Sequence, residues 1–183
     1  NETRKKINEI NSSQKDIKVL FGYEINILAD NTIGLPDDIL KDLDYVIAGI
    51  HTAFNQDREV MTERIISAIE NPFVKIISHP SSRLLNERDP IELDWERVFS
   101  AARDNNVILE INSQPTRLDL PDDLVRLAIE WGVDLIINTD SHSASELNLM
   151  KYGVNTARRG WAEKNNIVNT LSYEEFVRKI KLM

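Results

Sequence analysis

Three histidines occur in this sequence, and each stands at or just past the end of a run of strand-like apolar residues. His51 follows "DYVIAGI", His79 follows "FVKIIS", and His142 lies two residues beyond Asp140, which ends "VDLIINTD". Acids stand in equivalent places: Glu24 ends "VLFGYE", and Glu110 with Asn112 closes "NVILEIN". Imidazole nitrogen and carboxylate oxygen together suit Zn²⁺, Mn²⁺ or Fe²⁺. The chain has no cysteine, so a zinc-thiolate centre and a disulfide framework are excluded. Several such ligands on neighbouring strand ends can hold two or three metal ions, an arrangement that activates water near neutral pH and clamps the oxygens of a phosphoryl transfer. Asp140 and His142 are two apart and point to one face if the strand continues through them. Arg83, four residues past His79 in "SHPSSR", is placed to hold a non-bridging phosphate oxygen.

Taken singly, each residue has a plainer reading. A lone histidine at a strand end is commonly a hydrogen-bonded surface group; three, with acids beside them, point to a site. Glu110 reads either as a ligand or as a buried acid paired with an arginine. Arg158 and Arg159 read as solvated. Trp95, Trp131 and Trp161 sit at helical spacings among apolar residues and read as core or interface, not as base-stacking platforms.

The elements that must position these groups alternate. The runs "IKVLFGYEINIL", "DYVIAGIH", "FVKIISHP", "NVILEIN" and "VDLIINTD" are rich in Val and Ile and apolar on both faces, as strands inside a parallel sheet must be. Between them lie helical patterns at residues 36–43, 58–70, 94–105, 121–131, 145–150 and 172–181, preceded by one over 1–16. Ser172 and Glu175 form a capping box, and Pro121 suits a first helical turn. Strand and helix in alternation mean βα units, arranged either as an open doubly wound sheet or as a barrel, in which catalytic groups collect at the C-terminal strand ends. No G-x-G-x-x-G follows any strand, so a Rossmann nucleotide site has no support. The 183 residues are the size of one domain, and 22 basic against 30 acidic side chains give a net charge of −8, which argues against bulk attraction to a phosphate backbone. No stretch is long and apolar enough for a membrane span.

The stretch from "GYEINILADNTIGLPDDIL" through "SHPSSR", together with "EINSQPTRLDLP", "NTDSHS" and "YGVNTARRGW", closely resembles the PHP (polymerase and histidinol phosphatase) domain at the C-terminus of bacterial and archaeal family X DNA polymerases. The likeness covers Ile17 to Met183, and "H-x-A-F-N-Q" and "T-A-R-R-G-W" point to the polymerase branch. It implies an α/β fold, a distorted (β/α)7 barrel related to the TIM barrel, with metals at the strand C-termini. It implies a ligand set of Glu24, His51, His79, Asp140 and His142, of which Asp140, His142 and His51 serve catalysis, and no ligand role for Glu110. It implies divalent ions, up to three in a complete site, with manganese most active and zinc or iron possible. The implied activity is hydrolysis of phosphodiesters at DNA 3′ ends (3′→5′ exonuclease, abasic-site endonuclease or 3′-phosphatase). That carries with it DNA as partner through a linked polymerase, and a cytoplasmic, nucleoid-associated place.

PHP domains open with an H-x-H motif and a later Asp-His pair, and neither is present. The resemblance therefore implies that residues 1–183 are the C-terminal part of one PHP domain, lacking its first strands, weak or inactive alone and prone to self-association through open barrel edges. Two further readings are a free-standing phosphomonoesterase of the histidinol phosphatase type and a non-catalytic scaffold that stabilises a polymerase.

Overall fold

The computed structural model describes residues 2–180. In chain order the elements are α1 (Glu2–Ser13), β1 (Gly22–Asn26), α2 (Asp37–Leu40), β2 (Tyr45–Gly49), α3 (Arg58–Ile69), β3 (Val74–Ile77), α4 (Trp95–Asn105), β4 (Ile108–Asn112), α5 (Asp122–Glu130), β5 (Leu135–Asn138), α6 (Met150–Arg159) and α7 (Tyr173–Ile180). The strands pair in parallel in the order β1-β2-β3-β4-β5. Strictly sequential order is that of a barrel wall, whereas a doubly wound sheet reverses at a switch point, so the choice left open by the sequence falls to the barrel type.

Side-chain alternation divides the sheet into two surfaces. Ile25, Val46, Ala48, Leu109, Ile111, Leu135 and Ile137 face the main core, where they meet Met61 and Ile65 of α3, Phe99 of α4, Val125 of α5 and Ala157 of α6. On the other face Ile47, Ile76, Ile108 and Ile136 form a second apolar layer, covered by Val168 and by Phe176 and Ile180 of α7. The same alternation, carried two residues further along each strand, puts Ser78, Glu110 and Asn138 on this second face at the C-terminal ends. The face is thus apolar at one end and polar at the other.

The expected strands all form, each shorter than its apolar run. The helical pattern at 145–150 proves to be a 3₁₀ turn (Ala144–Leu149) that leads into α6, which the sequence reading missed. Gly153 lies inside α6, where a Cβ would collide with Ser113 Oγ and sit 2.5 Å from Ile137 Cγ2. Helix α2 is a single turn that starts after Pro36, and Pro121 stands one place before α5 rather than inside it. The Ser172–Glu175 capping box forms, with both oxygens engaged; Lys181, the expected end of that helix, lies outside the described residues.

Helix α1 buries no residue and is held by polar contacts, Arg4 to Asp44 at 2.7 Å and the paired hydrogen bonds between the Asn11 amide and the Val19 backbone. The β5 edge is closed differently. Ile167 bridges Leu135, and the Asn169 side chain accepts from Ile137 N (2.7 Å) and donates to Ile137 O (2.9 Å), standing in for a sixth strand's peptide group.

Arg64 of α3 is 0% exposed, and its guanidinium donates to the carbonyls of Ile27, Leu28, Thr52 and Ala53 and to Gln56 Oε1. It clamps the segment after β1 to the segment after β2, and so fixes the backbone beside His51. Gln56 and Ala53 belong to the "HTAFNQ" motif, whose role here is to hold this buried cation. Replacing Arg64 with Leu strips donors from several enclosed carbonyls, so we expect a loss of about 3 kcal/mol or more in urea-unfolding stability. A change below about 1 kcal/mol would show that water satisfies those carbonyls instead.

Candidate metal centre

Three of the five expected ligands converge. Glu24 points from β1, His51 follows β2, His79 follows β3, and one ligand atom from each lies within 4.8 Å of the other two. Glu24 Oε1 receives three partners: Ser78 Oγ at 2.7 Å, His79 Nε2 at 3.0 Å and His51 Nε2 at 3.2 Å. The two imidazoles meet edge to face, ring centres 5.0 Å apart. Ligand atoms about 2.0–2.2 Å from a tetrahedral ion lie roughly 3.4 Å from one another. The observed separations fall a little below that, as they must when protons join the groups that an ion would join. His79 is 2% exposed, while Glu24 and His51 keep about a third of their side chains open, 32% and 39%. The donor set fits a divalent cation with one accessible side.

Space for this convergence comes from Gly49. A Cβ there would collide with Ser78 Oγ and lie 3.0 Å from His79 Cε1 and 3.1 Å from His51 Nε2. Burial pushes the Glu24 carboxyl up, but the hydrogen bonds from His51, His79 and Ser78 outweigh it and hold the group below the usual carboxylate range. Burial pushes His79 down; its hydrogen bond to Glu24 and the charges of Glu110 and Glu24 prevail over that and over the opposing charge of Arg117, so its pKa is raised.

Glu110 is the buried acid that the sequence left between two readings, and its partner is no arginine. Its carboxylate accepts from His79 N (2.7 Å), Asn138 Nδ2 (2.8 Å) and Asn112 Nδ2 (3.2 Å). Complete burial pushes it up, opposed first by Asn138 and by the charge of His79. Three N–H donors and no acceptor beside it favour the ionised form. Asn112 Nδ2 also reaches Asp140 Oδ2 at 3.1 Å, so Glu110 joins the backbone of one expected ligand to the carboxylate of another.

Asp140 and His142 stand apart from the three-residue group. β5 ends at Asn138, and Asp140 adopts a left-handed backbone (φ 49°), so the two side chains do not share a strand face. Asp140 shares a cavity of about 340 Å³ with Glu24, Glu110 and Asn138. His142 is exposed; its Nδ1 lies 3.0 Å from Asp140 O and its N–H donates to Glu146. Arg83 is turned toward the chain's own backbone. Its Nε donates to Arg117 O at 2.8 Å and its Nη2 to Leu118 O, and it lies outside the walls of that cavity. The sequence reading missed Ser78, Asn138 and Arg117. Ser78 and Asn138 were findable as polar residues at the ends of apolar runs; Arg117 sits in a loop with no such marker.

No family model matches the chain. It is 41% identical over 171 residues, 93% of its length, to DNA polymerase/3′-5′ exonuclease PolX of Bacillus subtilis. Over that stretch the chain resembles the PHP domain of this polymerase. Two further relatives are a probable phosphatase of Thermoanaerobacter sp. (29% identity, 84% of the chain) and one of Caldanaerobacter subterraneus (35%, 69% of the chain). The chain spans 30% of the length of the polymerase and 64% and 51% of the two phosphatases. Among solved structures, histidinol phosphate phosphatase of Lactococcus lactis, complexed with zinc, L-histidinol and phosphate, superposes with a TM-score of 0.53 at 15% identity, over 85% of this chain and 73% of that one. That likeness establishes the PHP-type barrel fold.

Two outcomes test the centre. Gly49→Ala should weaken divalent metal binding by at least about tenfold, because the added methyl must displace Ser78 or a ligating imidazole; unchanged affinity by calorimetry would mean that the ligands do not need this spacing. Metal binding must also displace the proton that His79 holds more tightly than an ordinary histidine. Affinity should therefore fall as the pH drops through that raised pKa, about tenfold per unit for each proton displaced, and level off above it. Affinity independent of pH between 6 and 8 would remove His79 from the ligand set.

Proposed function

We propose that this chain carries the metal-binding half of a phosphoesterase site that hydrolyses phosphodiesters at DNA 3′ ends, within a family X polymerase of which it is part of the PHP domain. The observation that carries the reading is the convergence of Glu24, His51 and His79 on one point at the strand C-termini. PolX of B. subtilis, a polymerase and 3′-5′ exonuclease by name, supports the choice of DNA. Asp140, on the wall of the cavity, and His142, two residues further on, complete the ligand set, and manganese is the activating ion, with zinc or iron able to occupy the same hard and borderline donors. A divalent cation supplies Lewis acidity toward phosphate oxygens and a nucleophile from water near neutral pH. The chain's own residues do the rest. Ser78 orients Glu24, and Glu110 fixes the His79 backbone and, through Asn112, Asp140.

No helix among the described residues is long and apolar enough to cross a membrane. The formal charge of −8 leaves the bulk of DNA affinity to a linked basic region. A second reading, a small phosphomonoester as substrate, draws on the relatives named as probable phosphatases.

In the protein that carries this chain, His79→Ala and Asp140→Asn should each lower removal of a 3′-terminal nucleotide from a single-stranded oligonucleotide in manganese by at least about 100-fold, with nucleotide addition intact. Hydrolysis unchanged in both variants would leave a scaffold. Faster hydrolysis of p-nitrophenyl phosphate than of the oligonucleotide would favour the second reading.

A further inference from the structure

Arg117 sits on the loop between β4 and α5, and that loop is pinned on every side. Gln114 Nε2 donates to Thr139 O (2.9 Å) and Asp140 O (3.1 Å), Asn112 N donates to Asp119 O (2.5 Å), and Leu85 N donates to Thr116 O (2.7 Å). Arg83 grips the carbonyls of Arg117 and Leu118 from the β3 side. So much restraint serves a side chain whose own donors are idle. Arg117 Nη1 is enclosed and has no partner. Its Nε stops 4.0 Å from Asp140 Oδ2, beyond hydrogen-bond reach, and that oxygen already accepts from Asn112. The side chains of Arg117 and Asp140 are 20% and 21% exposed, so both reach solvent, and Asp140 lines the cavity of the site. The charge of Arg117 is felt at His79 on one side and at Arg88 on the other, while Arg88 is itself committed to Ser82 O and stacked 3.7 Å over Phe54. Of these three arginines, Arg83 and Arg88 serve backbone carbonyls; Arg117 alone keeps its fork available beside the metal ligands.

We propose that Arg117 is the phosphate-recognising residue of this site, offering its guanidinium to two non-bridging oxygens of the scissile group, and that Arg83 is its positioning residue. The inference rests on the phosphoesterase reading above for the identity of the anion. An idle guanidinium held rigidly beside three metal ligands matches a tetrahedral oxyanion that spans the cation and the arginine, because the fork supplies two parallel donors and the ordering cost is already met by the loop. A lysine at this place would give charge without that geometry.

The test uses the manganese-loaded protein that carries this chain, as wild type, Arg117→Ala, Arg117→Lys and Arg83→Lys, with bound manganese, affinity for inorganic phosphate and hydrolysis of an oligonucleotide 3′ end as readouts. Arg117→Ala should keep its manganese, bind phosphate at least about tenfold more weakly and lose about 100-fold in kcat/KM. Added guanidinium ion should restore part of that activity, which a merely structural defect would not allow. Arg117→Lys should show an intermediate phosphate affinity, and it carries the test if Arg117→Ala does not fold. Arg83→Lys should weaken phosphate binding less than Arg117→Ala while keeping the metal. Phosphate affinity unchanged in Arg117→Ala, loss of manganese in that variant, or absence of guanidinium rescue would each overturn the proposal. If the wild type hydrolyses no phosphoester, the functional reading fails, while phosphate affinity in wild type against Arg117→Ala still decides the role of Arg117.

Discussion

The site depends on one buried carboxylate whose oxygens are taken up by the chain's own N–H donors. Glu110 lies in β4, with the His79 backbone on one side and the Asn112 and Asn138 amides on the other. Enclosing a carboxylate costs several kcal/mol unless every lone pair it presents is met. Here three N–H donors come from the ends of three successive strands, so satisfying Glu110 and aligning β3, β4 and β5 are the same event. His79 needs that alignment because its backbone takes a left-handed turn (φ 29°) immediately after the strand, a conformation costly for a residue with a branched ring and sustained only by fixed surroundings. The turn swings the imidazole back toward Glu24 on β1, two strands away.

From this anchor the rest of the geometry follows by strand periodicity. Ile108, Glu110 and Asn112 share one face of β4, and Ile136 and Asn138 share that face of β5. In both strands the apolar residue comes first and the polar one two places later, so apolar packing against α7 grades into a polar rim without a break in pairing. Parallel order makes the gradient additive: every strand runs the same way, and each polar end arrives at the same edge. In an antiparallel sheet the same residues would alternate between opposite edges and no cluster could form. The chemistry at the rim is therefore a property of topology as much as of residue type.

How much of this could be read from the sequence depends on whether the informative pattern was local. Candidate ligands at the ends of apolar runs are a local signal, and it picks out Glu24, His51 and His79, which the fold brings together. Asp140 and His142 were found by the same rule, but their arrangement was not, because the expectation that they share a face assumed a strand continuing through Asp140, where the backbone turns left-handed. Arg83 and Arg117 show the limit more sharply. Both are arginines near the site, and proximity in sequence to His79 favoured Arg83; which of them has free donors is decided by carbonyls 34 and 35 residues away. Gly49 and Gly153 were equally silent, since a glycine required by a neighbour's side chain looks the same in sequence as one placed at random. Nothing in the sequence sets Arg64 apart, and only its five oxygen partners from two distant loops show that it is core.

Charge closes the argument. A chain with eight more acidic than basic side chains presents an unfavourable average field to a polyanion, yet the charge of Arg117 is felt at His79, with Arg83 and Arg88 packed around its loop. Local positive charge within a few ångströms outweighs a dispersed negative field that salt screens over about 8–10 Å. Two of the arginines are spent on backbone carbonyls and contribute through their field alone, which leaves the direct contact to the third. On the proposed function, a chain charged in this way favours a phosphate at one place and disfavours it elsewhere.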